Sequence, residues 1–428
     1  MQYRFSTFAD TVLSEPGIFR LMEDLDAALS GPNAKDMYML GGGNPGFVAP
    51  VHDYFQKSFQ QIANDADLFR RVSGQYDGPS GSTSFRQTLA ERLHKHYGWS
   101  LTEQNIVLTQ GSQNAFFLLL NLFSGPDSDG QPLKILFAQS PEYIGYENSG
   151  LHSNSMIAVP SKKIDLGNGF FRYTVDYEAI TKTLQNGNIG AICISRPSNP
   201  TGGMLDDDEV AMLSKLARQF QLPLIIDGAY GDPFPGVVYG QQHPYFDDNT
   251  IFVLSLSKTG LPGLRTGIIL APARVTAVIE RLQAIEHLAP NSIGPALVEG
   301  GIADGSMIRI CKEHLPPFYK ARKNLAVSTL FKHLQPDKQV QLHRPDGAFF
   351  VWAIFPKLKI TSVELYSALK QSGVIIVPGS YYFPGLPKEK QTEVAYHNSV
   401  RISYSQNEAT IKDGLEILCR IVAKYSAD

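Results

Sequence analysis

The chain has little cysteine: three in 428 residues, Cys193, Cys311 and Cys419. They stand far apart, form no metal-ligand spacing and leave one without a mate in any pairing. That argues against a disulfide framework and against a zinc-type site, and it fits a reducing compartment. An excess of charge is lacking too. The net charge is −3 and the pI about 6.4, so nothing favours nucleic acid or an anionic membrane as a partner. No apolar run approaches the roughly 20 residues needed to span a bilayer. The opening Met1–Thr7 lacks the apolar stretch of a secretory leader. Repeats and low-complexity tracts are absent. A cytoplasmic globular protein is therefore expected. What is present is 43% hydrophobic residue content, enough for a large core and for two lobes.

Between about residues 100 and 275, short apolar runs alternate with helical patterns. The predicted strands are Ile106–Thr109, Lys134–Ala138, Ile189–Ser195, Pro223–Asp227, Ile251–Leu254 and Gly267–Ala271. Predicted helices between them include Ser112–Phe123 and Asp206–Phe220, the latter opened by acidic residues that suit a helix start. This alternation predicts an α/β fold: a mostly parallel central sheet with helices on both faces. Ligands in such sheets sit beyond the carboxyl ends of the strands. The end of the chain reads differently. A long helix over about Met307–Leu334 is followed by a strand at Ala348–Ile354 and a helix at Thr361–Ser372. Strands near Val374–Val377 and Ser399–Tyr404 come next, and a helix from Glu408 closes the chain. The expected division is a large domain over 61–305 and a smaller, discontinuous α+β lobe built from 1–60 and 306–428.

Ser255-Leu256-Ser257-Lys258 follows the apolar run Ile251–Leu254, with Arg265 seven residues on. A lysine at the end of a strand buried on both faces is awkwardly placed for a merely solvated charge. Two hydroxyls and a guanidinium beside it suit a cofactor that carries an aldehyde and a phosphate. Alone, Lys258 reads equally well as a surface lysine on a strand–helix loop. Gly111-Ser112-Gln113 precedes an apolar helix; Ser112 reads first as a helix N-cap, and second as part of a phosphate seat on free N–H groups. Ser198-Asn199-Pro200-Thr201-Gly202 reads by default as a proline turn. Asp227 ends a strand, with Tyr230 three residues on. Asn199, Asp227 and Lys258 all fall at the carboxyl ends of predicted strands. A carboxylate, a phenol, an amide, an amine and a phosphate grip are together what a pyridine aldehyde needs. The carboxylate keeps the ring nitrogen protonated, and Tyr143 in Pro141-Glu142-Tyr143 can stack on the ring.

Asn199-Pro-Thr-Gly, Asp227-x-x-Tyr230 and Ser255-x-Ser-Lys258 with Arg265 resemble, in order and spacing, the fold-type I pyridoxal-phosphate aminotransferases. The resemblance covers most of the chain. It implies that Lys258 is the Schiff-base lysine, Asp227 the partner of the pyridinium nitrogen, and Tyr230 and Asn199 the donors to the ring oxygen. Ser255, Ser257, Arg265 and the N–H groups of Gly111, Ser112 and Gln113 are implied to bind phosphate. Tyr76, in Tyr76-Asp-Gly-Pro-Ser-Gly81, resembles a tyrosine that reaches the phosphate of a neighbouring subunit, which implies a homodimer. Arg401, in Asn398-Ser-Val-Arg401, resembles the arginine that grips the substrate α-carboxylate, and Gly43 matches a backbone position that meets the same group. The spacing from Lys258 to Arg265 is one residue shorter than is commonest in the family.

Two other motifs carry little. Gly41-Gly-Gly43-Asn-Pro-Gly46, with Asp65 beyond it, spells a dinucleotide fingerprint. Such a fingerprint must open a helix, and Pro45 and Pro50 interrupt this one. His94 and His96 flank Lys95 on an amphipathic stretch and read as a solvated helix edge, so no metal site is expected. The segments expected to line the substrate pocket, Pro16-Gly17-Ile18-Phe19 and Tyr38-Met39-Leu40, are apolar and bring no second cation. The expected donors are valine and alanine, and the expected acceptors pyruvate and 2-oxoisovalerate. A β-eliminating C–S lyase would use the same residues. A ligand-sensing regulator would need a DNA-binding appendage, which is not expected before Glu15.

Overall fold

The structure, a computed structural model, describes residues 4–5, 9, 17–30 and 37–426. Glu15 and Pro16 lie outside the described residues. The chain gathers into two compact units. One, here the lysine unit, comprises Asn44–Leu122 and Leu205–Phe318; the other, the arginine unit, comprises Met1–Gly43, Phe123–Met204 and Tyr319–Asp428.

In the lysine unit four strands lie in the order Ile106–Thr109, Gly267–Leu270, Thr250–Ser255, Leu224–Asp227. Every residue of the four is buried, as the apolar runs that make up most of each strand require. Thr250–Ser255 runs parallel to Leu224–Asp227. Gly267–Leu270 runs antiparallel to both of its neighbours, so the sheet is mixed. A continuous apolar run says that a strand is buried on both faces but not which way it points. The helix Asp207–Gln219 starts on a capping box. Asp206 Oδ1 accepts from the Glu209 N–H at 2.8 Å, and Glu209 Oε2 accepts from the Asp206 N–H at 2.9 Å. The helix Thr83–Tyr97 ends on Gly98 in the left-handed conformation, with its N–H on the His94 carbonyl. His94 Nδ1 lies 3.1 Å from the Trp99 carbonyl oxygen, so it helps close that helix end.

In the arginine unit, Pro132–Phe137 pairs in parallel with Ile189–Ser195 and Met156–Ala158. A second sheet of six strands runs in the order Val377–Pro378, Ser399–Ser403, Phe350–Ile354, Gln341–His343, Phe170–Thr174, Lys162–Gly167. The last two strands form a hairpin that the sequence pattern does not announce. Residues 123–204 thus group with the C-terminal residues, whereas the division expected from the sequence kept them within 61–305. The physical reason is the parallel pairing of Phe170–Phe171 with Leu342–His343, a long-range contact.

The expected helices are present within a residue or two, as Ser112–Leu122, Asp207–Gln219, Ser306–Leu334, Ser362–Gln371 and Glu408–Ser426. Residues 42–48, from within the glycine run onward, are irregular, and the next helix starts only at Ala49 with Pro50 in its first turn. The three cysteines are buried, and none forms a disulfide among the described residues. Among the described residues no helix is long and apolar enough to cross a membrane.

Candidate active site

The lysine unit assembles its polar residues by strand register. Ser255 lies opposite Gly267, and Gly267 opposite Thr109. The segments leaving these three residues therefore start side by side. From Thr109 the chain turns through Gly111 into the helix Ser112–Leu122. Ser112 is the first helical residue rather than the cap before it. Gly111 takes the cap position, its carbonyl accepting from the Ala115 N–H at 3.2 Å. It has φ +87°, and a Cβ there would sit 2.8 Å from Cζ of Arg265. Gly267 is under the same constraint, since its Cβ would lie 2.6 Å from the Ser112 nitrogen. The two glycines let the Arg265 guanidinium and the helix start approach each other closely, which makes a cradle for an anion. Arg265 itself has φ +46° and closes the tight turn Pro262–Leu264, the path taken by the shortened loop after Lys258.

Ser255 accepts from the Ser257 N–H at 3.1 Å, and the turn Ser257–Thr259 then presents Lys258. Thr259 fastens this turn by donating its hydroxyl to the Leu256 carbonyl at 2.6 Å. Lys258 is half-buried, with Nζ 5.4 Å from the centre of the Tyr230 ring. Asp227 ends its strand opposite Val253, two residues before Ser255. It is buried, and its Oδ1 accepts from the Ala229 N–H at 3.0 Å. Lys258, Tyr230 and Asp227 are thus held at one end of the sheet, near the Gly111–Arg265 cradle. Tyr76, by contrast, is 83% exposed.

The arginine unit builds around Arg401, on the strand Ser399–Ser403. Arg401 is 2% exposed. Its Nη1 donates to Asn199 Oδ1 at 2.9 Å and its Nη2 to the Gly41 carbonyl at 2.5 Å. Its Cζ lies 4.3 Å from the centre of the Phe350 ring and 5.2 Å from that of Tyr382. The contact from the glycine run to Arg401 is thus made by Gly41, with Gly43 two residues further along the same loop. Asn199 is held by a tight turn: the Gly202 N–H donates to the Ser198 carbonyl, and the Ser198 N–H to that of Gly203. Tyr143 and Ile18 both pack on an apolar cluster that includes Tyr382, Trp352, Ile144 and Leu21. Glu142 fixes the Tyr143 segment, accepting from the Ser195 N–H at 2.9 Å and donating its own N–H to the Tyr382 carbonyl at 2.8 Å. Sequence reasoning missed Gly41, Phe350, Tyr382 and Glu142. Only the register Trp352–Arg401–Val377 brings the aromatics to the arginine, and no sequence spacing shows it.

The chain and its fold match a known class. Residues 57–418 match the family described as Aminotransferase class I and II. The chain is 38% identical over 424 residues to the valine–pyruvate aminotransferase of Escherichia coli K12, covering 99% of each. A solved putative amino-acid aminotransferase from Psychrobacter arcticum superposes with TM-score 0.95 at 38% identity, covering 99% of both chains. The solved valine–pyruvate aminotransferase of Salmonella typhimurium gives 0.85 at 37% identity, with 95% of this chain and 99% of that one covered. Thermus thermophilus aspartate aminotransferase, at 20% identity and TM-score 0.78, shares the fold. The chain belongs to the class I and II aminotransferases and has their fold-type I architecture, α/β with a mixed central sheet. It is an aminotransferase, and its cofactor is pyridoxal 5′-phosphate.

The lysine unit fits that group on its own geometry. It offers an amine on a fixed turn, a buried carboxylate at a strand end and a phenol beside the amine. Its anion cradle is one that a Cβ at Gly111 would fill.

Proposed function

We propose that the enzyme moves an amino group between small aliphatic amino acids, valine and alanine, and the 2-oxo acids pyruvate and 2-oxoisovalerate. The observation that carries this reading is the setting of Arg401. A buried guanidinium lies over two aromatic rings, and Ile18 and Tyr143 pack on the same apolar cluster as Tyr382. An arginine suits a carboxylate because its planar fork offers parallel donors. The apolar surroundings would leave a second, distal carboxylate unpaired, which costs several kcal/mol. The likeness to the two valine–pyruvate aminotransferases supports the same reading.

Bound pyridoxal 5′-phosphate supplies an aldehyde that takes the amino group and a ring that withdraws electrons from the substrate. Lys258 would hold that aldehyde through its amine and, as the free amine, would move the proton at the substrate α-carbon. Asp227 holds the ring nitrogen protonated by its charge. Tyr230 donates to the ring oxygen. Asn199, whose Oδ1 is occupied by Arg401, keeps its amide N–H groups to donate there too. Ser255, Ser257, Arg265 and the N–H groups of Ser112 and Gln113 hold the phosphate, while Gly111, whose own N–H donates to the Thr109 carbonyl at 2.8 Å, leaves room for it. Tyr143 stacks on the ring. Arg401 holds the α-carboxylate, with the Gly41–Gly43 backbone beside it.

Paired half-reactions test the substrate. Valine is expected to convert the cofactor faster than aspartate, and the reverse order overturns the reading. One methyl group discriminates by only about 10- to 200-fold, so neighbouring aliphatic donors are expected to react as well.

The unit of function in this reading is a cytoplasmic homodimer, in which Tyr76 reaches the phosphate of the second subunit. Its exposure supports this, as does that of Phe47, Phe59, Phe69 and Ile285, large apolar side chains that a partner would cover. Three buried cysteines without a disulfide suit the reducing cytoplasm. Light scattering at assay concentration is expected to give twice the chain mass, and an active monomer would refute the shared site.

A further inference from the structure

We infer that Tyr382 is a substrate-binding residue whose phenol hydroxyl donates a hydrogen bond to the substrate carboxylate beside Arg401. The inference rests on the carboxylate grip proposed above and adds to it a second donor, on a different element.

Tyr382 ends the short turn Gly379–Tyr382, which follows the strand Val377–Pro378. That strand pairs with the strand of Arg401, Val377 lying opposite it. Gly379 presses the turn onto the neighbouring strand, since a Cβ there would lie 2.5 Å from the Ser399 carbonyl oxygen. The Tyr382 carbonyl is tied to the Glu142 N–H. The Tyr382 ring meets Trp352 edge-on, centres 5.8 Å apart, and faces the Arg401 guanidinium. The ring is therefore fixed from several sides.

Its hydroxyl is fixed to nothing. Tyr382 is completely buried, and its oxygen has no hydrogen-bond partner among the described residues. The same holds for Nε of Arg401. Leaving a buried donor unpaired is costly, and these two belong to side chains in contact, the Arg401 Cζ lying 5.2 Å from the centre of the Tyr382 ring. Nη1 and Nη2 of Arg401 are each already anchored, to Asn199 and Gly41, so the guanidinium cannot satisfy a ligand with all of its donors. A carboxylate has lone pairs to spare for a further donor. On a substrate with an aliphatic side chain, the carboxylate is the only acceptor away from the reacting nitrogen or carbonyl. Burial raises the phenol pKa, although the Arg401 charge pulls the other way, so the group remains a protonated donor through the neutral range. A ring needed only for packing would serve as well without the hydroxyl.

Tyr382→Phe in the holoenzyme removes the hydroxyl and keeps the ring, so the fold is retained. The half-saturation constants for valine and for pyruvate are both expected to rise about ten-fold or more, the scale of a lost hydrogen bond to a charged group. The rate at saturation should stay within a few-fold and the cofactor spectrum should be unchanged. The thermal midpoint should hold or rise, because an unpaired donor has left the core of the free enzyme. Half-saturation constants within two-fold of the parent overturn the inference. Arg401→Lys, measured alongside, locates the failure. If it weakens both substrates while Tyr382→Phe weakens neither, Tyr382 alone is misassigned. If neither variant weakens binding, the carboxylate grip falls, and Tyr382 with it.

Discussion

Lys258→Ala should abolish transamination and leave a folded protein. The turn that presents Lys258 is fastened by its neighbours: Ser255 takes the Ser257 N–H, and Thr259 bonds back to the Leu256 carbonyl through both its hydroxyl and its N–H. The lysine side chain is half-buried on this turn, so truncating it leaves no large cavity. The loss of function is twofold. On the role proposed for Lys258, the variant cannot hold the cofactor covalently, and it has no amine to move the proton at the substrate α-carbon. General acid–base catalysis alone contributes about 10²- to 10⁴-fold, and the attachment is lost in addition. Single-turnover conversion with valine, followed by cofactor absorbance, is the decisive measurement. Turnover within ten-fold of the parent in a cleanly folded variant would remove Lys258 from the mechanism.

The turn that carries Lys258 was legible in the sequence for a physical reason. Strands buried on both faces are written as unbroken apolar runs, so Ile106–Thr109 and Ile189–Ser195 have the bounds their sequences suggest. A polar residue that ends such a run is conspicuous, which is why Asp227 and Ser255–Lys258 stand out. Direction is another matter. Nothing in Gly267–Leu270 distinguishes it from a parallel strand, yet it runs antiparallel to both neighbours. The hairpin Lys162–Thr174 was hidden for the opposite reason. Every residue of Lys162–Gly167 is exposed, so the strand has no buried face to leave a pattern. That hairpin also explains why residues 123–204 group with the C-terminal sheet.

The surroundings of Arg401 were half legible. The arginine is marked by its motif, but its partners come from four separate stretches: Gly41, Asn199, Phe350 and Tyr382. Strand register brings two of them in, the glycine loop a third and the proline turn a fourth. A single sequence encodes such convergence only through the finished fold. Tyr382 looks, in Tyr381-Tyr382-Phe383, like one more core aromatic until its unpaired hydroxyl and its ring's contact with the guanidinium are seen together.

Asp227→Asn tests charge apart from shape. The side chain is buried at the end of Leu224–Asp227, and its Oδ1 holds the Ala229 N–H at 3.0 Å. An asparagine oxygen can keep that bond, so the local turn should survive. What goes is the anion. On the role proposed for Asp227, without that anion the ring nitrogen of the cofactor would lose the partner that favours its protonated form, and the ring would withdraw electrons less well. Removing one such preorganised electrostatic contact typically costs about 10²- to 10³-fold in rate. We expect the valine half-reaction of Asp227→Asn to slow by about two orders of magnitude or more, with unfolding temperature close to the parent. Asp227→Glu, which keeps the charge and disturbs the fit, should retain more activity than the isosteric amide. If the amide is within a few-fold of the parent, or outperforms the glutamate, the carboxylate acts by packing and the assigned role is wrong.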